Sequence, residues 1–410
     1  MTSSVPTPSA RGPLHTDFSR RADLDALRIL AFGILILFHV GLVYVTWDAP
    51  VKSTWASATA EPLLLLTVPW RMNLLFLISG IATKFLWDKS ASPAAFAASR
   101  SGRLLPPLLF GALLLAPLTA YWAYLTRGGG EAMAFGPFWR SFLGLGADSP
   151  PAGVTPNLGH VWFVLYLAAY TLVLFVLLRF KRPLAWMWRW DGTAPLWVWL
   201  LAPPALLAVL RRVLYDRFGV THLLLDDWYN NSVYMGFFLL GFLIAKAPRF
   251  WAAVERLRWP ALLVAGLSYA AFVPAYLHLA QTESGVGLVA GWLERGLRSL
   301  FGWCAILAAL AWAQHGVRRS GRLARYFSEG VFPYYLLHQP ILVLACLGIL
   351  PLRWPWPLEA AALITFTLAG TAAAYEMVRR TGPLRPLFGL EALPLGRPVF
   401  SKGLRGAQSA

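Results

Sequence analysis

Arg28 and His39 share one apolar stretch, Asp25-Ala-Leu-Arg28-Ile-Leu-Ala-Phe-Gly-Ile-Leu-Ile-Leu-Phe-His39. A cation and an imidazole inside an apolar run of membrane length are costly, and by default they point to function. The eleven steps between them, at about 100° each, make three turns plus about 20°. Both side chains therefore lie on one helical stripe, roughly 16 Å apart. Such a pair sets a cation near one membrane surface and a proton-transfer group deep below it. That suits an elongated ligand with an anionic head and a reactive tip. Neutral imidazole in a partly dry site is a competent general base for a hydroxyl. The competing structural readings are a core histidine bonded to a neighbouring helix and a snorkelling arginine paired with Asp25.

Further candidates follow along the chain. Arg71, in Pro-Trp-Arg71-Met-Asn73, is expected near the depth of His39, where it would stabilise an oxyanion, hold a substrate carboxylate, or pair with Glu294 or Glu376. Arg100-Ser-Gly-Arg103 puts two guanidiniums one helical turn apart, in an expected loop, a spacing suited to phosphate. His160 and Trp162 open an apolar run at the expected outer surface, where they could bind substrate or belong to an aromatic belt. His338, in Tyr334-Tyr335-Leu-Leu-His338-Gln339-Pro340, is expected about 12 Å inside its helix. No P-loop, GxSxG elbow, HExxH or strand-linked GxGxxG is present, so the chemistry on offer is that of histidine and arginine, with no metal.

The elements that must position these residues are membrane helices. The chain has 410 residues, 58% of them hydrophobic and 13% charged, with a mean hydropathy of +0.56. That composition belongs to a polytopic membrane protein. The net charge of +17 is dispersed in short clusters between apolar runs, which argues against nucleic acid and for membrane topology. The two cysteines, Cys304 and Cys346, each sit in an apolar run and make no disulfide framework.

Ten runs are expected to span: 24–46, 62–86, 104–125, 159–178, 195–214, 231–246, 259–279, 288–312, 330–350 and 357–378. The first is too long for a cleaved signal peptide. Arginine and lysine concentrate in alternate loops, such as Arg179, Lys181, Arg182 and Arg189, against only Lys52, Arg127, Arg140, Arg217 and Arg353 in the others. Both termini are thus expected in the cytoplasm. The expected organisation is a disordered cytoplasmic N-terminus (1–23), one all-α membrane domain (24–378) and a cytoplasmic tail (379–410). The long loop 126–158 is expected to be a lid or a packed surface loop.

The pattern resembles membrane-bound acyltransferase family 3, and most closely its glucans biosynthesis protein C branch. The residues that carry the resemblance are Leu24-Asp25-Ala-Leu-Arg28 with His39, Arg71-Met72 with Phe76-Leu-Ile-Ser79-Gly80, Arg100 with Arg103, Gly159-His160-Val-Trp162-Phe163, Tyr335-Leu-Leu-His338-Gln339-Pro340, and Tyr375-Glu376. They occur in the family's order from about residue 20 to about residue 390. The resemblance implies a ten-helix enzyme of the bacterial inner membrane. It would take acyl-CoA (succinyl-CoA or acetyl-CoA) from the cytoplasm and acylate a hydroxyl of a polysaccharide, oligosaccharide or other envelope acceptor. It further implies that His39 is the catalytic histidine and that Arg28, Arg100 and Arg103 contact the donor. One departure stands out: the branch commonly has consecutive histidines where this chain has His338-Gln339. The alternatives are a transporter or flippase whose path is lined by deep arginine and histidine, and a scaffold subunit.

Overall fold

The structure, a computed structural model, describes residues 21–127, 133–145, 149–179, 191–281, 288–317, 319 and 321–392. Most of the expected disordered N-terminus, the loop residues Lys181, Arg182 and Arg189, and the tail beyond residue 392 lie outside the described residues.

Of the described residues 80% are helical, and none is in a strand. In chain order the helices are α1 (Ala22–Leu42), α2 (Glu61–Leu65), α3 (Arg71–Lys89), α4 (Pro93–Thr126), α5 (Phe135–Phe142), α6 (Gly159–Arg179) and α7 (Leu196–Phe218). There follow α8 (Trp228–Ile244), α9 (Pro248–Arg256), α10 (Arg258–Gln281), α11 (Leu288–Gly316), α12 (Arg322–Ile349) and α13 (Trp356–Arg380). Among the described residues, eight helices are long and apolar enough to cross a membrane, and a ninth crossing exists if the bent pair α8–α9 is one span.

Two of the ten expected runs differ for local reasons. The run 62–86 is broken between α2 and α3. Pro69 lacks an amide donor and biases Val68 away from helix, so the chain turns there and restarts at Arg71. The restarted helix also carries Lys84, Asp88 and Lys89, which leaves it outside the eight. The run 231–246 ends at Ile244, and Pro248 starts α9 at 108° to it. By contrast, Pro203-Pro204 does not break α7; the helix absorbs the lost hydrogen bonds and passes into a π-helical turn at Arg211–Tyr215.

Helix α1 runs through the middle of the bundle, packed on α3, α11, α12 and α13. α3 and α8 cross at glycines: a Cβ on Gly80 would stand 1.9 Å from the Phe238 carbonyl oxygen, and one on Gly241 would stand 2.0 Å from that of Leu77. Only a residue without a Cβ permits this approach, as small residues generally do between membrane helices. α12 carries α13 on one face and α1 and α4 on others. The outward faces are apolar, including Leu201, Leu206 and Leu263, as lipid contact demands. The start of the expected tail is packed: Phe388 meets Phe110 of α4, and buried Arg385 donates to the carbonyls of Arg379 and Glu391 at 2.9 and 2.7 Å.

Candidate active site

Three histidines from three elements converge inside the bundle: His39 of α1, His160 of the 3-10 turn that opens α6, and His338 of α12. The His39 and His338 rings are 4.9 Å apart between centroids, and those of His160 and His338 are 5.4 Å apart. His338 is fully buried, His160 nearly so and His39 half-buried. α12 begins at Arg322, so His338 stands about 24 Å along it, twice the expected distance from the helix start. His160 lies in the interior and not at a surface: its own carbonyl accepts from the Tyr335 hydroxyl, and its Nε2 lies 3.0 Å from the Leu336 carbonyl.

The acceptors around these rings assign their tautomers. A carbonyl oxygen only accepts, so the ring nitrogen facing it carries the proton. His338 Nδ1 lies 2.6 Å from the Tyr335 carbonyl and donates to it, which leaves a lone pair on Nε2. His39 Nδ1 lies 2.9 Å from the Leu35 carbonyl and 3.2 Å from His338 Nε2, and its proton is shared between them. His39 Nε2 is then the unprotonated nitrogen. The result is a directed chain, from the Tyr335 carbonyl through His338 to His39, which ends on a base. A proton arriving at His39 Nε2 makes an imidazolium whose opposite N–H already has two acceptors. His160, donating through Nε2, keeps a bare Nδ1 with no partner among the described residues.

One cleft lies about three turns down α1 from this cluster, and a second cavity reaches it at His160. The first, of about 360 Å³, lies at the N-terminal end of α1 between α1 and α3; its cations are Arg21, Arg28 and Lys89, its acid is Asp25, and Leu24, Ile78 and Phe85 form apolar wall. Arg28 reaches α12 there, donating to Ser328 Oγ at 2.7 Å and to the Ser328 carbonyl at 3.1 Å, with Asp25 at 3.3 Å. The pairing with Asp25 is thus real, but a third of the Arg28 side chain remains exposed. The second cavity, of about 350 Å³, lies beyond the C-terminus of α1 and is lined by polar groups including Asp48, Thr119, Arg127 and Asn157. It ends on His160 and Gln339, and Gln339 Oε1 is buried without a partner among the described residues. Part of the long loop 126–158 forms this wall: Arg127 donates to the Gly153 carbonyl, and α5 docks Phe138 against Tyr121 and Tyr124. Lys52 fastens the chain leaving α1 by donating to the carbonyls of Leu42 at 2.9 Å, Val45 at 2.7 Å and Trp47.

Arg71 is 4% exposed and makes no ion pair among the described residues. Glu294 is instead engaged with Arg298 at 3.6 Å, and Glu376 with Arg379 and Arg380 at 2.7 Å. Arg71 bonds Thr67 Oγ1 at 3.1 Å and stacks 3.8 Å over Phe38, the residue before His39. It stands one ring away from the histidine cluster. Arg100 and Arg103 are not in a loop but in the first turns of α4, which Ser92 caps and Pro93 starts. Neither lines the Arg28 cleft. Arg100 is bonded to Thr171 of α6 at 3.1 Å, whereas Arg103 is exposed. Arg103 is nonetheless at the Arg28 end, because its carbonyl and Phe332, one turn beyond Ser328, both crowd Gly389. Trp162 does not line the His160 cavity. It is stacked 5.7 Å from Tyr234 and 4.7 Å from His222 in an aromatic layer beside the cluster. Sequence reasoning missed Arg21 and Lys89 in the first cleft and the polar loop residues in the second; Gln339 was noticed only as a departure.

A bundle of apolar helices with buried imidazoles between a cationic cleft and a polar cavity defines the class: an integral membrane protein with a histidine cluster in its interior. A family model described as an acyltransferase domain matches residues 21–376, and the chain belongs to acyltransferase family 3. It is a membrane acyltransferase. Neither the curated proteins nor the solved structures compared with the chain gave a match.

Proposed function

We propose that the protein moves a short acyl group, succinyl or acetyl, from acyl-CoA to a hydroxyl of an envelope glycan, as in the glucans biosynthesis protein C branch, in the bacterial inner membrane with both termini cytoplasmic. The observation that carries this reading is the directed His338–His39 pair, set along α1 between a cleft rich in cations and a polar cavity that reaches the neighbouring His160. Coenzyme A has a polyanionic head and a long flexible arm. Arg28, with Arg21 and Lys89, would hold phosphates at the cationic cleft, and Arg103 would meet the outlying part of the head. Arg100, bonded to Thr171, would contribute mainly by fixing α4 beside α6. The arm would then run along α1 for the roughly 16 Å between Arg28 and His39.

The glycan would enter through the cavity ending on His160 and Gln339, both suited to binding a sugar hydroxyl. His39 Nε2 takes the proton of the attacking hydroxyl as its oxygen bonds to the thioester carbonyl carbon. The tetrahedral intermediate collapses with cleavage of the C–S bond, and the CoA sulfur leaves with the proton held on His39. His338 Nε2 stabilises the imidazolium between these steps. Arg71 would face the developing oxyanion, or the free carboxylate when the acyl group is succinyl.

The test is release of free CoA from succinyl-CoA and acetyl-CoA by the purified protein, with and without a glucan acceptor, together with mass spectrometry of envelope glycans from cells with and without the gene. Acceptor-dependent CoA release lost in His39→Ala is the expected result. Turnover unaffected by His39→Ala overturns the reading.

A further inference from the structure

At the His160 end of the bundle, but on the other side of the aromatic layer of Trp162 and Tyr234, two cavities of about 250 and 440 Å³ share the walls Val68, Arg211, Tyr215 and Arg298. Their place is fixed by Trp47, just past the end of α1, which lines the larger one and donates from Nε1 to the Tyr276 hydroxyl at 3.0 Å. The cations facing this space outnumber its acids. Arg211, Arg298 and Arg295 line it, and Glu294 is the one carboxylate among the lining residues.

The pairing of these cations is uneven. Arg295 is paired with Asp216 at 2.6 Å. Among the described residues Arg298 has one carboxylate contact, a long one of 3.6 Å to Glu294, and lies 5.4 Å over the Phe272 ring. Arg211 makes no carboxylate pair among the described residues; it donates to the Tyr229 hydroxyl at 3.2 Å and lies 4.3 Å over the Tyr215 ring. Arg211 and Tyr215 bound the π-helical turn of α7, and both line the cavity. π turns inside helices recur at functional sites. Arg211 and Arg298 thus share one lining carboxylate, Glu294, and guanidiniums in a membrane protein's interior that exceed their countercharge call for an anion.

We propose that this double cavity is an anion site that binds a phosphate group between Arg211 and Arg298. Guanidinium forks match phosphate oxygens, and the site offers tyrosine edges beside them. The phosphate would be carried by a lipid headgroup or arrive free from water. The proposal does not depend on the acyl-transfer reading, since it concerns binding alone and none of the residues assigned to transfer takes part.

The experiment uses the full chain, purified in detergent and delipidated. Binding of inorganic phosphate is followed by calorimetry, and retention of added phosphatidylglycerol or phosphatidylcholine by native mass spectrometry, in wild type and in Arg211→Gln/Arg298→Gln. Wild type is expected to bind phosphate or to retain phosphatidylglycerol, and the double variant to bind about tenfold or more weakly. Binding of both probes, with phosphate displacing the lipid, assigns a free or water-exposed phosphate. Retention of phosphatidylglycerol that phosphate does not displace assigns a lipid headgroup. Should the double variant fail to fold, Arg298→Lys keeps the charge without the fork and is expected to weaken binding severalfold. Absence of binding in wild type, or binding by the variants equal to wild type, overturns the proposal.

Discussion

The orientation of the two imidazoles makes His338 the most discriminating residue to perturb. Its Nε2 is one of two acceptors for the His39 Nδ1 proton, at 3.2 Å, and the Leu35 carbonyl is the other, at 2.9 Å. Replacing His338 with phenylalanine keeps a ring in a fully buried position and removes that acceptor. The Leu35 carbonyl still fixes the His39 tautomer, so the base survives in the correct form. What is lost is one charge-assisted hydrogen bond to the imidazolium, worth about 1.5 to 3 kcal/mol. At about 1.4 kcal/mol per decade, kcat should fall roughly 10- to 100-fold. His39→Ala removes the base itself and should cost roughly 10² to 10⁴. Both are measured as CoA release by protein in lipid nanodiscs, with size-exclusion profile and melting temperature as checks on the fold. The ordering is the prediction. If His338→Phe is as damaging as His39→Ala or worse, His338 is the base and the direction of the chain is wrong. If His338→Phe retains wild-type turnover, the 3.2 Å contact takes no part in the reaction.

Other expected outcomes follow from the same geometry. Arg28→Ala should raise the KM for acyl-CoA more than it lowers kcat, and Arg28→Lys should be impaired too because an ammonium lacks the planar guanidinium's second edge for phosphate while Nη2 holds Ser328; an unchanged KM in both removes Arg28 from donor binding. Gln339→Ala should raise the KM for the glycan acceptor while leaving the KM for acyl-CoA unchanged, and the opposite pattern would place Gln339 on the donor side. Arg71→Leu should reduce succinyl transfer more than acetyl transfer, since a buried carboxylate without its cation costs several kcal/mol; equal losses would make Arg71 an oxyanion or packing residue. Gly80→Val should lower the melting temperature sharply, because its side chain would meet the Phe238 carbonyl where a Cβ already has no room. A melting temperature equal to wild type would show that α3 and α8 can part without cost.

The parts of this protein that were legible in the sequence are those governed by apolar run length and by isolated charges within such runs. Eight of the expected runs correspond to helices of spanning length and composition, and His39, His160 and His338 each stand out in the sequence as polar groups in or at the start of such runs. The local setting of two of them differs from the expectation for a traceable reason. His338 was measured from the first apolar residue near 330, whereas α12 starts at Arg322 in a basic, tyrosine-bearing turn that hydropathy does not mark as helix. His160 was placed at a surface because its run begins there, but tertiary packing folds the preceding loop over it. The break at Pro69 was signalled by its missing amide, yet the surrounding leucines masked it.

What the sequence could not supply was direction between elements. Nothing in the spacing of His39 and His338 says which ring donates to which. That order is set by the carbonyls of Leu35 and Tyr335, backbone groups i−4 and i−3 to the two histidines. A helix ordinarily spends these carbonyls on its own amides, so a side chain can share one only if it folds back along its own helix, and packing decides whether it does. The same limit hid the cations of the Arg28 cleft: Arg21 and Lys89 read as membrane-flanking charges, and only the crossing of α1 with α3 turns them toward one space. It also explains why Arg71 does not form the expected pair with Glu294 or Glu376. Its two carboxylate candidates are already engaged with Arg298, Arg379 and Arg380, each three or four residues away on its own helix. A pairing that local is cheaper in conformational entropy than one across the bundle, and it leaves Arg71 against Phe38, next to the residue whose chemistry it would serve.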